Sequence, residues 1–491
     1  MSFDSFGFFL FFPVVAIAYF MIAHRYRWIW LLTASYFFYM CFNPWYAVFL
    51  GATTLTTYAA GLLIGKADES RDARTKKMWV VLCLIVNLGI LLVFKYLNLF
   101  SELYAQTASL FGFAVPAVRF DLLLPVGISF YTFQAVSYLI DVYRGDTKPE
   151  RHLGKYALFV SFFLQIVSGP IGKSKDMLRE FDEVHTFDDT RAKKGLLLML
   201  WGYFQKMVVA DRLGLLVDTV YGSPQKYRGP ASLLATVFYA FQIYCDFSGY
   251  SDIAIGAGQI LGFRLPTNFN RPYFSRSVKE FWRRWHISLS SWFRDYLYIP
   301  LGGNRCSAFR HCLNILIVFA VCGFWHGASV TFFVWGLLHG VYQVIGLLTG
   351  GFRSRVRARL GIRTGSAPFR VLQAAATFLL VAFAWIFFRA GTLADASTVI
   401  GGLFRFDPSA LRDGSLFRLG LDPAEMAVGV LGILAVLAVD LLGRKKNLIR
   451  SVLNFRTPAR WLFYITAVMV LVIFGIYGSQ YNAQQFIYSQ F

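Results

Sequence analysis

Acidic residues are scarce in this 491-residue chain: Asp and Glu number 27 against 48 Lys and Arg, for a formal net charge of +21. Charge of either sign is thin as well, at 15% of residues, while apolar residues reach 57% and the mean hydropathy is +0.52. Soluble domains are about a quarter charged and about half apolar. The departure in both directions excludes a disordered, fibrous or ordinary cytosolic chain. Cysteine is sparse too. Cys41, Cys83, Cys245, Cys306, Cys312 and Cys322 form no C-x-x-C and no metal-ligand spacing with His. Most lie inside apolar runs and read as small buried hydrophobes, so no metal site is expected. Missing as well are a G-x-S-x-G elbow, a P-loop, a G-x-G-x-x-G after a strand and an H-E-x-x-H helix. No internal repeat and no Gly/Ser-rich or Pro-rich linker is visible. One integral domain over residues 1–491 is the economical reading, and a transporter built from repeats is disfavoured. The basic excess sits in short loops between apolar runs. It therefore reads as topology and headgroup contact rather than a nucleic-acid face.

What the chain has in abundance is apolar length and aromatics, with 51 Phe and an aromatic share of 18%. A spanning helix needs roughly 20 apolar residues. Stretches of that order occur at 6–23, 28–65, 78–94, 122–140, 156–172, 195–210, 229–245, 311–352, 371–388, 426–439 and 461–478. The fold class is therefore an all-α polytopic membrane protein, with roughly 11 to 13 transmembrane or re-entrant helices. Residues 253–263 are too short to cross unaided and read as re-entrant or tilted. No cleavable signal is expected ahead of the first span. The segments 353–370 and 444–460 each carry six basic residues and no acid, so both read as cytoplasmic. The loops 24–27 and 66–77 also read as cytoplasmic, which puts the N-terminus outside, and the last span, leaving from Arg460, puts the C-terminus outside too. Lys95, Lys206 and Arg389 lie near span ends and read as snorkelling.

Chemistry concentrates in two places. Residues 264–310 carry nine Arg/Lys and two acids, crowded with aromatics. Plotted as one helix, Trp282, Trp285, Leu289, Trp292 and Tyr296 form an apolar face, and Arg284, Ser288, Ser291 and Asp295 a polar one. Such a helix lies in the membrane interface, with His286 at its buried boundary. It is either an anchor with a packed His or a vestibule whose arginines receive an anionic ligand; the turn from Pro300 to Arg305 is a weak phosphate cradle. The second place is 311–352, a run without Lys, Arg, Asp or Glu that holds His326. Sixteen residues beyond Arg310, at 1.5 Å each, put it roughly 24 Å into the bilayer. It is either a hydrogen-bonded His in a small-residue helix contact or a general base lining a cavity. Gln242 and Asp246 share a helical face. With Asp211 and Asp252, they read as span-edge hydration and capping or as groups that orient a His or bind substrate.

Several blocks carry a family resemblance: LPVGISFYTFQAVSYLIDVYRG from Leu124, SGPIGKSKDM from Ser168, and YCDFSGYSDIAIGAGQILGFRLPTNFNRPY from Tyr244. They continue with EFWRRWHISLSSWFRDYLYIPLGGNR from Glu280, GFWHGAS from Gly323 and the terminal FIYSQF. Together they resemble the membrane-bound O-acyltransferase family, in its bacterial alginate O-acetyltransferase branch. The resemblance implies a ring of tilted helices around a central funnel, with His326 catalytic and His286 supporting. Trp285, Arg284, Ser288, Gln242, Asp246 and Arg305 are the further substrate-binding candidates. It also implies no tightly bound cofactor, and an acyl donor that is acetyl-CoA or an acyl-phosphopantetheinyl carrier. The acceptor would be an exported polysaccharide, reached from the bacterial cytoplasmic membrane through an extracytoplasmic esterase-like partner. D-alanyl transfer to teichoic acid and a transporter or flippase are the alternatives. One departure is SGPIGKSKDM, where relatives often carry Arg; Lys173 and Lys175 keep the charge without the bidentate fork.

Overall fold

The computed structural model of the protein describes residues 1–120, 124–405, 412–444 and 448–477. The FIYSQF block at 486–491 lies outside the described residues. Among those described, every regular element is helical. The chain divides into two compact units, Met1–Leu196 with Ala254–Pro266, and Leu197–Ile253 with Thr267–Phe491.

The first unit holds α1 (Phe6–Met21), α2 (His24–Met40), α3 (Tyr46–Glu69), α4 (Ala73–Leu110), α5 (Ile128–Arg144), α6 (Leu153–Ser161) and α7 (Ser174–Asp182). The chain leaves it along α8 (Asp189–Tyr203). Ser5 and Asp72 cap α1 and α4 by accepting from free first-turn N–H groups. At 38 residues, α4 would run roughly 57 Å, well beyond a bilayer core. The core is aromatic with internal polar ties. Tyr156 donates to Thr57 Oγ1 at 2.7 Å, and the Tyr138 and Tyr156 rings meet at 4.6 Å. Lys95 does not snorkel: its side chain is buried and its ammonium reaches Ser129 Oγ at 3.3 Å. The stretch 156–172, read as a crossing, is helical only through Ser161 and then turns.

The second unit takes in the end of α8, a π-helical turn at Phe204–Ala210, α9 (Asp211–Tyr221) and α10 (Pro230–Leu261) as far as Ile253. Two stretches read separately, 229–245 and 253–263, are one 32-residue helix. Next come α11 (Val278–Trp282) and α12 (Ile287–Phe293), then α13 (Ala308–His326), α14 (Val330–Leu348), α15 (Gly350–Arg359), α16 (Ala367–Arg389) and α17 (Leu393–Leu403). The last helices are α18 (Pro423–Leu442), α19 (Leu448–Leu453) and α20 (Thr457–Phe474). Asp422 and Glu425 form a capping box on α18, with Pro423 in its first turn. Among the described residues, α3, α4, α13, α14, α16, α18 and α20 are long and apolar enough to cross a membrane.

Lys206 corrects a further sequence expectation. Its ammonium is buried and lies 2.8 Å from Asp211 and 2.7 Å from Asp246. Asp246 is therefore mid-helix in a buried ion cluster rather than hydrated at a span edge, because a charge at that depth is stable only when paired. Arg389 pairs with Asp218.

The α13–α14 hairpin is the tightest joint in the second unit. A Cβ on Gly323 would strike the Phe332 carbonyl, and one on Gly336 would strike the Phe319 carbonyl and sit 2.9 Å from Gly323 Cα. The helices approach backbone to backbone because neither position carries a side chain. Gly336→Leu is expected to force the pair apart, at an overpacking cost of about 1–3 kcal/mol or more. Thermal unfolding in detergent would register the loss as a lower midpoint than the parent's.

Candidate active site

His326 is the last residue of α13, and Gly327 continues in extended backbone toward Ser329, which caps α14. The His thus stands at the closed end of the hairpin, 2% exposed. Its ring is walled edge-on by Trp325 at 4.9 Å, Trp335 at 5.0 Å and Phe388 at 5.3 Å. On its remaining side the His286 ring lies 6.5 Å away, centroid to centroid. Two histidines forty positions apart in the chain therefore share one pocket.

His286 reaches that place through an unusual backbone. It is fully buried and left-handed, at φ 43° and ψ 55°, a conformation costly for a residue with a Cβ. Strain of this kind persists only where surroundings over-determine it. Asn268 supplies the surroundings: its carbonyl accepts from Ile287 N–H at 2.9 Å and its Oδ1 from Ser288 Oγ at 2.6 Å. Its Nδ2 in turn donates to Ser251 Oγ at 3.0 Å. The break at His286 also means that residues 282–296 are not one helix. The aromatic stripe splits between α11 and α12, and Ser288, placed by periodicity on the water face, is buried. The Phe247 ring packs on His286 at 4.6 Å. Burial pushes His286 down to about 3, so its imidazole is neutral at physiological pH.

Beside this pocket lies a cavity of about 1150 Å³. Among the described residues its charged lining is Arg276, Lys279, Arg283, Arg294 and Arg353, with no Asp or Glu. Its apolar lining includes Trp282, Phe319, Cys322 and Leu380. Lys279 and Arg283 have no carboxylate partner among the described residues, while Arg294 pairs with Asp295 at 2.8 Å. A basic rim over an apolar wall suits a ligand with an anionic head and an uncharged tail.

The membrane-bound O-acyltransferase family profile matches residues 149–360. A Pseudomonas putida protein named "Probable alginate O-acetylase AlgI" is 39% identical over 427 residues, covering 86% of this chain and 84% of its own length. Its Pseudomonas aeruginosa namesake is 39% identical over 429 residues, covering 87% and 79%. A Helicobacter pylori "Peptidoglycan O-acetyltransferase" is 31% identical over 483 residues, covering 93% and 84%.

The chain belongs to the membrane-bound O-acyltransferase family.

It is a multi-pass membrane O-acyltransferase, and its profile match takes in both histidines and Asn268. The remaining candidates of this O-acyltransferase are scattered. Trp285 is packed between Phe269, Phe281 and Trp385. Arg284 is bound to Glu280 at 2.6 Å. Gln242 is buried, and Asp246 faces Lys206, although the next residue, Phe247, touches His286. Arg305 is exposed, and the cavity takes its neighbour Asn304 instead. Neither His286 nor His326 lines the cavity; Cys322, one turn before His326, does. Among the described residues no group of three or more His, Cys, Asp or Glu is placed to hold a metal ion.

Sequence reasoning passed over Asn268 and His339. His339 is a third fully buried His, in the same uncharged run as His326, so the depth argument applied to it equally. Asn268 had no signal beyond its place in a polar block.

Two outcomes follow from the strap around His286. Asn268→Ala removes both side-chain bonds, which is expected to cost about 1–3 kcal/mol of stability and to lower kcat more than it raises KM. Steady-state kinetics beside a melting curve separates those effects. Stability should also fall with acid. Below about 6.5 the unfolded imidazole of His286 binds a proton that the folded one refuses until about 3. Melting midpoints at pH 7.5 and pH 5 should therefore drop more in the parent than in His286→Phe.

Proposed function

We propose that the protein takes an acetyl group from a cytoplasmic thioester and passes it toward hydroxyls of an exported polysaccharide. The observation that carries the chemistry is the ring pair of His326 and His286 at 6.5 Å, one helical turn from Cys322 in the wall of the basic cavity. The names of the two kinds of relative, an alginate O-acetylase and a peptidoglycan O-acetyltransferase, support acetyl as the group and a polysaccharide as its destination.

In this reading His326 accepts the proton of the acceptor hydroxyl as that oxygen attacks the thioester carbonyl. The tetrahedral intermediate collapses with loss of the thiolate, which leaves with the proton that His326 held. His286, neutral and fixed by its backbone, faces His326 from across the pocket and orients the reacting groups. The aromatic walls around His326 exclude water, which would otherwise hydrolyse the thioester. The five cations of the cavity receive the phosphates of coenzyme A or of a phosphopantetheinyl carrier. Six arginines between 353 and 370 support a cytoplasmic side for that cavity by the positive-inside rule, since Arg353 belongs to both. The acceptor side then opens to the exterior of the cytoplasmic membrane, where an esterase-like partner would take the acetyl group onward.

Purified protein in nanodiscs, given acetyl-CoA labelled in the acetyl group and a soluble polysaccharide, tests the reading. Label is expected to leave coenzyme A in the parent and to stay there in His326→Ala, with at least a hundredfold loss of rate, in the range general-base removal produces. Equal transfer by both proteins would remove His326 from the mechanism. Label loss only from a D-alanyl carrier would move the enzyme to teichoic-acid chemistry. Substrate movement without cleavage of an acyl bond would make it a transporter.

A further inference from the structure

Between the basic cavity and His326 stands a partition of rings. Trp282 lines the cavity, its ring meets Trp335 at 5.8 Å, and Trp335 meets His326 at 5.0 Å. The indole of Trp282 is not held by packing alone. Its Nε1–H donates to Nδ1 of His339 at 3.2 Å, and the His339 ring also lies 5.2 Å from Trp335. Because Nδ1 accepts, the proton of the neutral ring sits on Nε2, which is buried and has no hydrogen-bond partner among the described residues. A fully buried histidine is thus retained with half its polar capacity unsatisfied, which is destabilising in itself. The one bond it makes fixes the orientation of the one tryptophan that reaches both the cavity and the ring wall.

We propose that Trp282, latched by His339, sets the acyl length this enzyme accepts. The inference rests on the proposed donor reading. A short acyl end entering beside Cys322 reaches His326 with the indole in place, whereas a longer chain collides with it. Trp282 is then a specificity-determining residue, and His339 a positioning residue that acts through it. The composition of the cavity fits this division: its cations hold a head group common to all acyl donors, so discrimination between tails falls to the inner wall.

The test uses the full chain in nanodiscs and a ladder of acetyl-, butyryl-, hexanoyl- and octanoyl-CoA, with thiol release as the readout. Binding of the matching non-hydrolysable S-alkyl-CoA thioethers is followed by thermal shift. The parent is expected to favour acetyl, with kcat/KM falling roughly tenfold or more over each step of the ladder, since one misfitted methylene is worth about that much. Trp282→Ala should invert the order, so that hexanoyl- and octanoyl-CoA bind and turn over better than acetyl-CoA. His339→Leu should shift it the same way. His339→Gln, which keeps an acceptor for the indole, should restore the parent's order. A merely structural role would lower all chain lengths together and keep the order. An unchanged order in Trp282→Ala, with the parent still binding the thioethers, overturns the partition alone. No thioether binding in either protein overturns coenzyme A as the donor and this inference with it.

Discussion

The site depends on the backbone contact between α13 and α14. Gly323 and Gly336 let the two helices meet without side chains between them, and the hairpin closes at Gly327 immediately after His326. That closeness sets the register in which Trp335 walls His326 and His339 reaches Trp282. A glycine contact is unforgiving in a way that an aliphatic one is not. Lipid tails are as apolar as the helices, so association rests on close packing, and any added atom removes the contact outright.

Against that rigid hairpin the second histidine is brought in by strain. His286 sits in a left-handed conformation that the Asn268 strap holds in place, and the break it makes in the aromatic segment turns its ring inward. The two histidines therefore arrive by different devices, one at the end of a regular helix and the other at an irregular joint. Both end buried among aromatic rings; in the proposed mechanism that enclosure keeps water from the thioester. The electrostatics divide: uncharged rings surround the histidines, while five cations line the neighbouring cavity, of which Arg276 and Arg294 have a carboxylate beside them, in Glu280 and Asp295.

Much of this was legible in the chain. Apolar length and scarce charge are global quantities, so the all-α polytopic class followed from composition. His326 stood out as an ionisable residue in a run with no Lys, Arg, Asp or Glu, which left both a packed His and a general base open. Periodicity failed where backbone geometry departs from a helix. It drew residues 282–296 as one cylinder, since nothing in the side-chain pattern announces a left-handed histidine. It also placed Ser288 in water when the serine is buried against Asn268. Lys206 was misread for a related reason, because its partners Asp211 and Asp246 include one forty residues away, and pairing at that distance belongs to tertiary structure. The cavity cations come from 276–294 and 353, joined only by the fold.

The central claim is that a thioester donor bound by the basic cavity presents its carbonyl to His326 and His286. The most direct measurement is a cryo-EM structure in nanodiscs with a non-hydrolysable acetyl-CoA thioether. The account predicts phosphate density against Arg276, Lys279 and Arg283, with the acetyl carbonyl in the pocket shared by the two histidines. Ligand density elsewhere, or an acetyl group remote from His326 while the cavity is filled, would contradict it.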